Sequence, residues 1–112
     1  MSLEIRERQY QGIPIVEVMG KVLDQEVFTL AKRLEFLYQQ EHKKIVLDLT
    51  NTTYLDSHGL GIIVYYHSMM KEAGRQFIVL NASKDADAYV KKLFTLTKLE
   101  SVLTIVNSEE NL

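Results

Sequence analysis

The side chains best suited to chemistry in this chain are consecutive: Asp56, Ser57 and His58. Together they are the residue types of a hydrolytic triad, and the serine hydroxyl alone could accept a phosphoryl group. A triad requires the three side chains to converge, whereas neighbours in a helix, which the following apolar residues indicate, point about 100° apart. His67 offers no replacement, because ten helical residues separate it from Ser57 by about 15 Å. The spacing therefore predicts no catalytic residue and leaves Ser57 as a candidate phosphorylation site.

The residue pattern predicts no metal site, no phosphate-binding loop and no cysteine chemistry. His42, His58 and His67 lack the close paired spacing of zinc sites, so no metal ligand is predicted. Gly59-Leu60-Gly61 lacks both the spacing and the lysine of phosphate-binding loops. The chain contains no cysteine, which excludes disulfides and thiolate chemistry. We therefore expect neither a metal nor any other cofactor.

The candidate serine is expected where a strand gives way to a helix. Ile45 to Leu49 is a short run rich in branched apolar residues, typical of a buried strand, and residues 50–53 have turn chemistry. After Asp56 the apolar period becomes that of a helix, and Asp56 or Ser57 is its natural N-cap. The apolar face of this helix is predicted to comprise Leu60, Ile62, Ile63, Val64, Tyr66, His67, Met69 and Met70.

A helix start is a favourable position for a phosphate on Ser57. Free N–H groups and the positive end of the helix dipole both favour an anion there. Phosphorylation would add roughly 1.5 to 2 negative charges beside Asp56 and would repel or displace a partner docked on this helix end. The alternative is that Asp56 and Ser57 merely cap the helix, since Asp and Ser are common caps.

The remaining elements are predicted from apolar periodicity and turn residues. Gln11-Gly12 separates two N-terminal strands as a hairpin turn, and Pro14 indicates that the second strand starts at a sheet edge or a bulge. Asp24 is a possible N-cap of the first helix. Strands alternating with helices predict a largely parallel sheet. The predicted elements are strands over 3–10 and 13–19, a helix over 25–40, a strand over 76–81, a helix over 84–97, a strand over 102–106 and a short helical or frayed tail over 107–112.

Length and composition indicate one soluble globular module. The 112 residues suffice for one domain, 1–112, and a content of 46% hydrophobic and 25% charged residues is ordinary for a folded protein. A net charge of −2 predicts no general affinity for nucleic acid or for an anionic membrane. No apolar run approaches the ~18 residues of a membrane span, and the charged N-terminus is unlike a signal peptide. We expect a cytoplasmic protein.

The segment around the serine resembles the signature of a known family. An apolar strand ending near Asp48, a turn, and then Tyr54-Leu-Asp-Ser-His-Gly-Leu-Gly61 is similar to the signature of STAS domains, specifically of the stand-alone anti-sigma-factor antagonists of bacteria. Gly20, Ala73-Gly74 and the segment Val90 to Leu99 extend the resemblance over nearly the whole chain. It implies an α/β STAS fold, with a mixed and mostly parallel β-sheet of about five strands and about four α-helices.

This resemblance also implies a regulatory switch between binding partners. The unphosphorylated form would bind an anti-sigma factor with serine-kinase activity, which would then release its sigma factor. The kinase would phosphorylate Ser57 with ATP, and a PPM-type serine phosphatase would restore the active form. Partner contacts are implied at Asp24, Asp56, Ser57, His58, Gly59 and Leu60.

The chain departs from the family pattern at three places, of which the first two bear on partner contacts and the third on the end of the late helix. The loop after the second strand reads Gly20-Lys-Val-Leu-Asp24, one residue longer than in many antagonists and with a lysine in place of an acid. His58 replaces a small residue, and Lys98 stands where a glycine often precedes the last leucine of the late helix.

Two other functions remain open: a non-switching STAS scaffold subunit of a stress-signalling or lipid-transport complex, and a nucleotide-binding module.

Overall fold

The frame of the fold is a mixed β-sheet with α-helices packed against it. The structure, a computed structural model, describes residues 3–112. Within that range six strands and three α-helices follow in the order β1 Leu3–Tyr10, β2 Ile13–Val22, α1 Gln25–Gln39, β3 Lys44–Asp48, β4 Thr52–Leu55, α2 Ser57–Glu72, β5 Gln76–Leu80, α3 Tyr89–Leu96 and β6 Thr104–Val106. Two single 3₁₀ turns, Leu99–Ser101 and Glu109–Asn111, complete the chain. The implied count of about five strands and about four α-helices is corrected to six and three.

One strand runs against the others. β1 pairs antiparallel with β2 across the predicted turn, while β2, β3, β5 and β6 are parallel neighbours in that order. The largely parallel sheet predicted from the alternation of elements is therefore confirmed. Pro14 predicts an edge strand or a bulge, but β2 lies inside the sheet. Pro14 precedes Ile15, the first residue paired with β3, so its missing N–H removes no bond from that ladder.

The segment predicted as a turn over residues 50–53 contains the start of a strand. β4 pairs parallel with the far end of β2, with Gly20 opposite Thr52 and Val22 opposite Leu55. β2 can form this second ladder because it continues to Val22, three residues beyond its predicted end at position 19. Gly20 has φ of 98°, and the register shifts directly after it, so the glycine lies within the strand at an irregularity.

The third helix starts five residues later than predicted. Instead of a helix from position 84, the chain forms a series of local side-chain to backbone bonds. The Ser83 N–H donates to Asn81 Oδ1, the Asp85 N–H to Ser83 Oγ and the Asp87 N–H to Asp85 Oδ1. These short polar side chains compete for the N–H groups that would otherwise open the helix, so α3 begins only at Tyr89.

The sheet has two faces of unequal size. All three helices contribute to the larger apolar cluster, through residues such as Leu34, Ile63 and Phe94. The smaller cluster on the other face consists of Ile15, Val46, Ile78 and Leu80, and the side chains packed against it are Tyr10, Ile13, Val106 and Leu112. We call this the back face. The helices therefore lie on one side of the sheet, and the back face carries the smaller cluster.

None of the helices in residues 3–112 combines the length and apolar character needed to cross a membrane.

Candidate functional site

The start of α2 is held by the side chain of Asp56. This residue is the N-cap in extended conformation, and its Oδ1 accepts a hydrogen bond of 2.9 Å from the Gly59 N–H. Its own N–H donates to the Val22 carbonyl, which joins the helix start to the end of β2. The sequence prediction of an N-cap at Asp56 or Ser57 is therefore resolved in favour of Asp56, and Ser57 is the first residue of the helix.

The second carboxylate oxygen of Asp56 reaches the segment before α1. Asp56 Oδ2 accepts a bond of 3.3 Å from the Asp24 N–H. Asp24 has φ of 51° and ψ of −116°, and the Glu26 N–H donates to the Leu23 carbonyl across it, as in a tight turn. Asp24 occupies the N-cap position of α1 as predicted, and its carbonyl accepts from the Val27 N–H, but its side chain makes no capping bond. Its backbone instead connects the starts of α1 and α2.

These bonds set the charge state of Asp56. The pKa of its carboxyl group lies below the ordinary value of 3.8, chiefly because the group accepts a hydrogen bond from the Gly59 N–H. The Asp24 N–H and the charge of the neighbouring His58 lower it further, while partial burial acts in the opposite direction. Asp56 is therefore an anion at neutral pH and already occupies the Gly59 N–H of the helix start.

Ser57 presents its hydroxyl to solvent. The residue is exposed, and its hydroxyl makes no hydrogen bond to any residue from 3 to 112. It stands at the positive end of a helix of 16 residues, where an anion is favoured. The arrangement can therefore accept a phosphoryl group without breaking an existing side-chain bond.

The residues that follow Ser57 divide into exposed and packed ones. His58 is exposed and Leu60 is half-buried against the larger cluster. Gly59 is buried, and a Cβ placed on it would lie 3.2 Å from Leu55 Cδ2, so this glycine serves close packing of the helix start. A Cβ on Gly61, in contrast, would meet no atom within 4 Å. The surface beside Ser57 that is open to a partner is thus formed by His58 and Gly61, with the edge of Leu60.

An aromatic pair borders the site, and sequence reasoning missed it. The rings of Tyr54 on β4 and Tyr89 on α3 stack with centroids 5.6 Å apart. The Tyr89 hydroxyl donates to the Leu55 carbonyl at 3.1 Å, two residues before Ser57. No local pattern signals this contact, since the two tyrosines are 35 positions apart in the chain.

Helices α1 and α2 lie side by side with their starts at the same end. Besides the link through Asp24, the Tyr66 hydroxyl donates to Glu35 Oε1 at 2.7 Å, about ten residues along each helix. Beside this contact Tyr65 is 53% exposed, and on the first turn of α1 Phe28 is 70% exposed. Of the apolar face predicted for α2, Ile63, Tyr66 and Met70 are buried. The other members, Leu60, Ile62, Val64, His67 and Met69, are only partly buried.

Comparison with known proteins gives these features a family context. The chain is 26% identical over 113 residues to the anti-sigma F factor antagonist of Paenibacillus polymyxa, covering 99% of this chain and 92% of that protein. It is similar in structure to an anti-sigma factor antagonist from Mycobacterium paratuberculosis, with a TM-score of 0.76 and 19% identity over 98% of this chain and 90% of the other. It is also similar to the phosphorylated form of the Bacillus cell fate determinant SpoIIAA, with a TM-score of 0.69 and 15% identity over 96% and 95% of the two chains. The two structural likenesses show a shared fold.

The sequence model of the STAS domain matches residues 4–112, which include β2, β4 and the whole Asp56 site. The chain therefore belongs to the STAS domain family.

Proposed function

We propose that this protein is an anti-sigma-factor antagonist that switches partners through the phosphorylation of Ser57. The unphosphorylated form binds an anti-sigma factor with serine-kinase activity and causes release of the sigma factor. Phosphorylation of Ser57 ends this binding, and a PPM-type serine phosphatase reverses the modification. The similarity to proteins named anti-sigma F and anti-sigma-B factor antagonists supports this proposal. The function belongs in the cytoplasm, where bacterial transcription takes place.

The observation that carries the proposal is the exposed Ser57 hydroxyl at a helix start whose cap is supplied by another residue. Because Asp56 caps α2 through its own carboxylate, Ser57 is not needed as a cap. The added phosphate would lie next to the Asp56 carboxylate and close to Asp24, which together give this surface a strong negative charge. A partner that accepts the neutral hydroxyl would then face a dianion, and like charges or a desolvated phosphate would weaken the contact.

The chain provides the acceptor, and its partner provides the chemistry. In the forward step the Ser57 oxygen attacks the γ-phosphorus of ATP, ADP leaves, and the hydroxyl proton passes to a base of the kinase. In the reverse step water attacks the phosphorus and inorganic phosphate leaves.

Partner contacts are proposed at Asp24, Asp56, Ser57, His58 and Leu60. Gly59 contributes by holding the helix start close to Leu55 rather than by direct contact.

Phosphate transfer tests the proposal directly. Purified protein is mixed with each anti-sigma-type kinase of its own genome and radiolabelled ATP. We expect label on the wild type and none on Ser57→Ala. Ser68→Ala is the matched control, because Ser68 is an exposed serine on the same helix and its loss should leave labelling unchanged. Absence of label with every kinase, or label that persists in Ser57→Ala, would contradict the assignment and favour a non-switching scaffold.

Binding to the kinase that labels Ser57 tests the charge mechanism. Ser57→Ala should bind with wild-type affinity in the presence of ATP and should not dissociate with time. Ser57→Asp should bind at least about tenfold more weakly, because it places a carboxylate where the partner approaches. Isothermal titration of the full chain with the kinase measures both. An Ser57→Asp variant that binds as tightly as the wild type would refute repulsion as the cause of release.

A further inference from the structure

A second concave site lies at the end of the molecule opposite Ser57. It is a cavity of about 250 Å³ beside the last turns of α2 and the first residues of β5 and β6. The residues that line it are His67, Lys71, Arg75, Gln76, Phe77, Val102 and Thr104. None of them belongs to the phosphorylation site, and the proposed switch uses none of them.

The charge of this cavity has one sign. Three of its lining residues, His67, Lys71 and Arg75, are basic and follow one another at intervals of four positions. No Asp or Glu is among the lining residues, all of which lie in the described part of the chain. Gln76 and Thr104 add an amide and a hydroxyl, which can donate hydrogen bonds to an oxyanion. Neither His67 nor Lys71 forms an ion pair with any residue from 3 to 112.

One of the cations is fixed in place before any ligand binds. The Arg75 Nε donates to the His42 carbonyl at 2.7 Å, and Nη2 donates to the Tyr38 carbonyl at 2.9 Å. The guanidinium carbon also lies 4.6 Å from the centroid of the Tyr38 ring. These contacts leave Nη1 without an acceptor among residues 3–112 and hold the guanidinium rigid. A rigid cation loses little conformational entropy when it binds an anion.

The helix dipole does not account for this set of cations. A basic side chain in the last turn of α2 complements the negative end of that helix, and Lys71 occupies such a position. His67 lies a full turn earlier, and Arg75 satisfies carbonyls at the end of α1. Helix capping thus explains Lys71 and part of Arg75, but not a concave space lined by three basic residues.

From this geometry we propose that the cavity binds a small tetrahedral oxyanion, inorganic phosphate or a phosphate monoester. Lys71 supplies charge and His67 a ring nitrogen on one wall, Arg75 supplies a preformed donor, and Gln76 and Thr104 complete the shell. The volume of about 250 Å³ is ample for a phosphate group. The rest of a monoester would extend into solvent past Val102, which is 52% exposed.

Amide chemical-shift titration of the full chain tests the proposal. Sodium phosphate is added at constant ionic strength against sodium chloride, and we expect saturable shifts confined to residues around 67–77 and 102–104. Lys71→Gln should raise the dissociation constant by about tenfold. Lys43→Gln is the matched control, because Lys43 is exposed at the same end of the molecule, does not line the cavity, and should change affinity by less than about twofold.

The source of the phosphate group is distinguished in a second arm. Vesicles of phosphatidylcholine with or without phosphatidic acid, whose headgroup is a phosphate monoester, are sedimented with wild type and Lys71→Gln. Binding of free phosphate without vesicle binding supports a soluble ligand. Vesicle binding that requires both phosphatidic acid and Lys71 supports a lipid headgroup. No saturable shifts with phosphate and no vesicle binding, or effects equal in Lys71→Gln and Lys43→Gln, would overturn the proposal.

Discussion

Asp56 performs two tasks with one side chain, and only one of them was predictable. The N-cap follows from local sequence, because an Asp or Ser directly before a helical apolar period is a common start signal. The bond from Asp24 to the other carboxylate oxygen joins residues 32 positions apart and has no local pattern. The same limit applies to Tyr89 on α3, whose hydroxyl donates to the carbonyl of Leu55 at the end of β4. The sequence therefore predicts the candidate serine, but it does not predict the bonds from Asp24 and Tyr89 that hold the residues before it.

Replacing Asp56 by Ala should lower the free energy of unfolding by about 1 kcal/mol at neutral pH, because the helix loses its cap. The folded pKa of Asp56 is lowered below its ordinary value of 3.8. Its stabilisation is therefore present above the unfolded pKa and is lost as the pH falls through the folded pKa. Urea denaturation of both proteins from pH 7 to pH 3 measures the difference, which should shrink at the acid end. A difference that stays constant over this range would show that the carboxylate is not its origin.

Gly59→Ala and Gly61→Ala form a matched pair within one helix. Alanine is preferred over glycine in a helix by about 1 kcal/mol, so Gly61→Ala, with open space around it, should stabilise the protein. Gly59→Ala places its Cβ against the buried Leu55 and should be less stable than Gly61→Ala by about 1–2 kcal/mol. Thermal unfolding ranks the two variants, and equal stability would contradict the close packing at Gly59.

At the level of elements, a long apolar period predicted helices and strands well. The prediction failed where strand pairing between distant segments, or local side-chain to backbone bonds, determined the structure. The periodic segments of α1 and α2 and strand β1 appear close to their predicted bounds, while β2 continues three residues beyond its predicted end. β4 was missed because a strand of four residues has no period of its own and depends on a ladder with distant β2. α3 was predicted too long because residues 81–87 form side-chain to backbone turns. Lys21, interpreted as a loop residue, is part of β2.

Lys98, which follows α3, has a backbone conformation that is unfavourable for any residue other than glycine. Lys98 has φ of 61° and ψ of 17°, the left-handed region, at the position where the family often has glycine. Lys98→Gly should raise the free energy of unfolding by about 0.5–1 kcal/mol, because the left-handed cost of an L residue exceeds the entropy that glycine adds to the unfolded state. Lys92→Gly, inside α3, should have the opposite effect. Urea denaturation that shows both variants destabilised alike would contradict the left-handed assignment.

For the molecule as a whole, a single arginine connects the first strand, the centre of the sheet and the tail. Arg8 on β1 lies 3.2 Å from the buried carboxylate of Asp48 on β3, and it also pairs with Glu109 in the last 3₁₀ turn. Asp48 further accepts bonds from the N–H and the hydroxyl of Thr50. Arg8 thus forms an ion pair with the buried Asp48 and also holds the segment after β6 through Glu109.

Arg8→Gln should lower the free energy of unfolding by about 1–3 kcal/mol, because it leaves the buried Asp48 without its cation. Arg6→Gln is the matched control two residues earlier on the same strand, where an exposed pair with Glu4 is worth less than about 1 kcal/mol. Urea denaturation measures both changes. Equal losses in the two variants would show that the position on β1, and not the buried carboxylate, determines the effect.

The back face depends in part on residue 112 for its cover. Leu112 packs against the cluster of Ile15, Val46, Ile78 and Leu80 and follows all six strands in the chain. A chain that ends before residue 107 would therefore keep every strand and expose part of this apolar face. Such a chain should aggregate more readily than the 112-residue protein, because exposed apolar patches promote association.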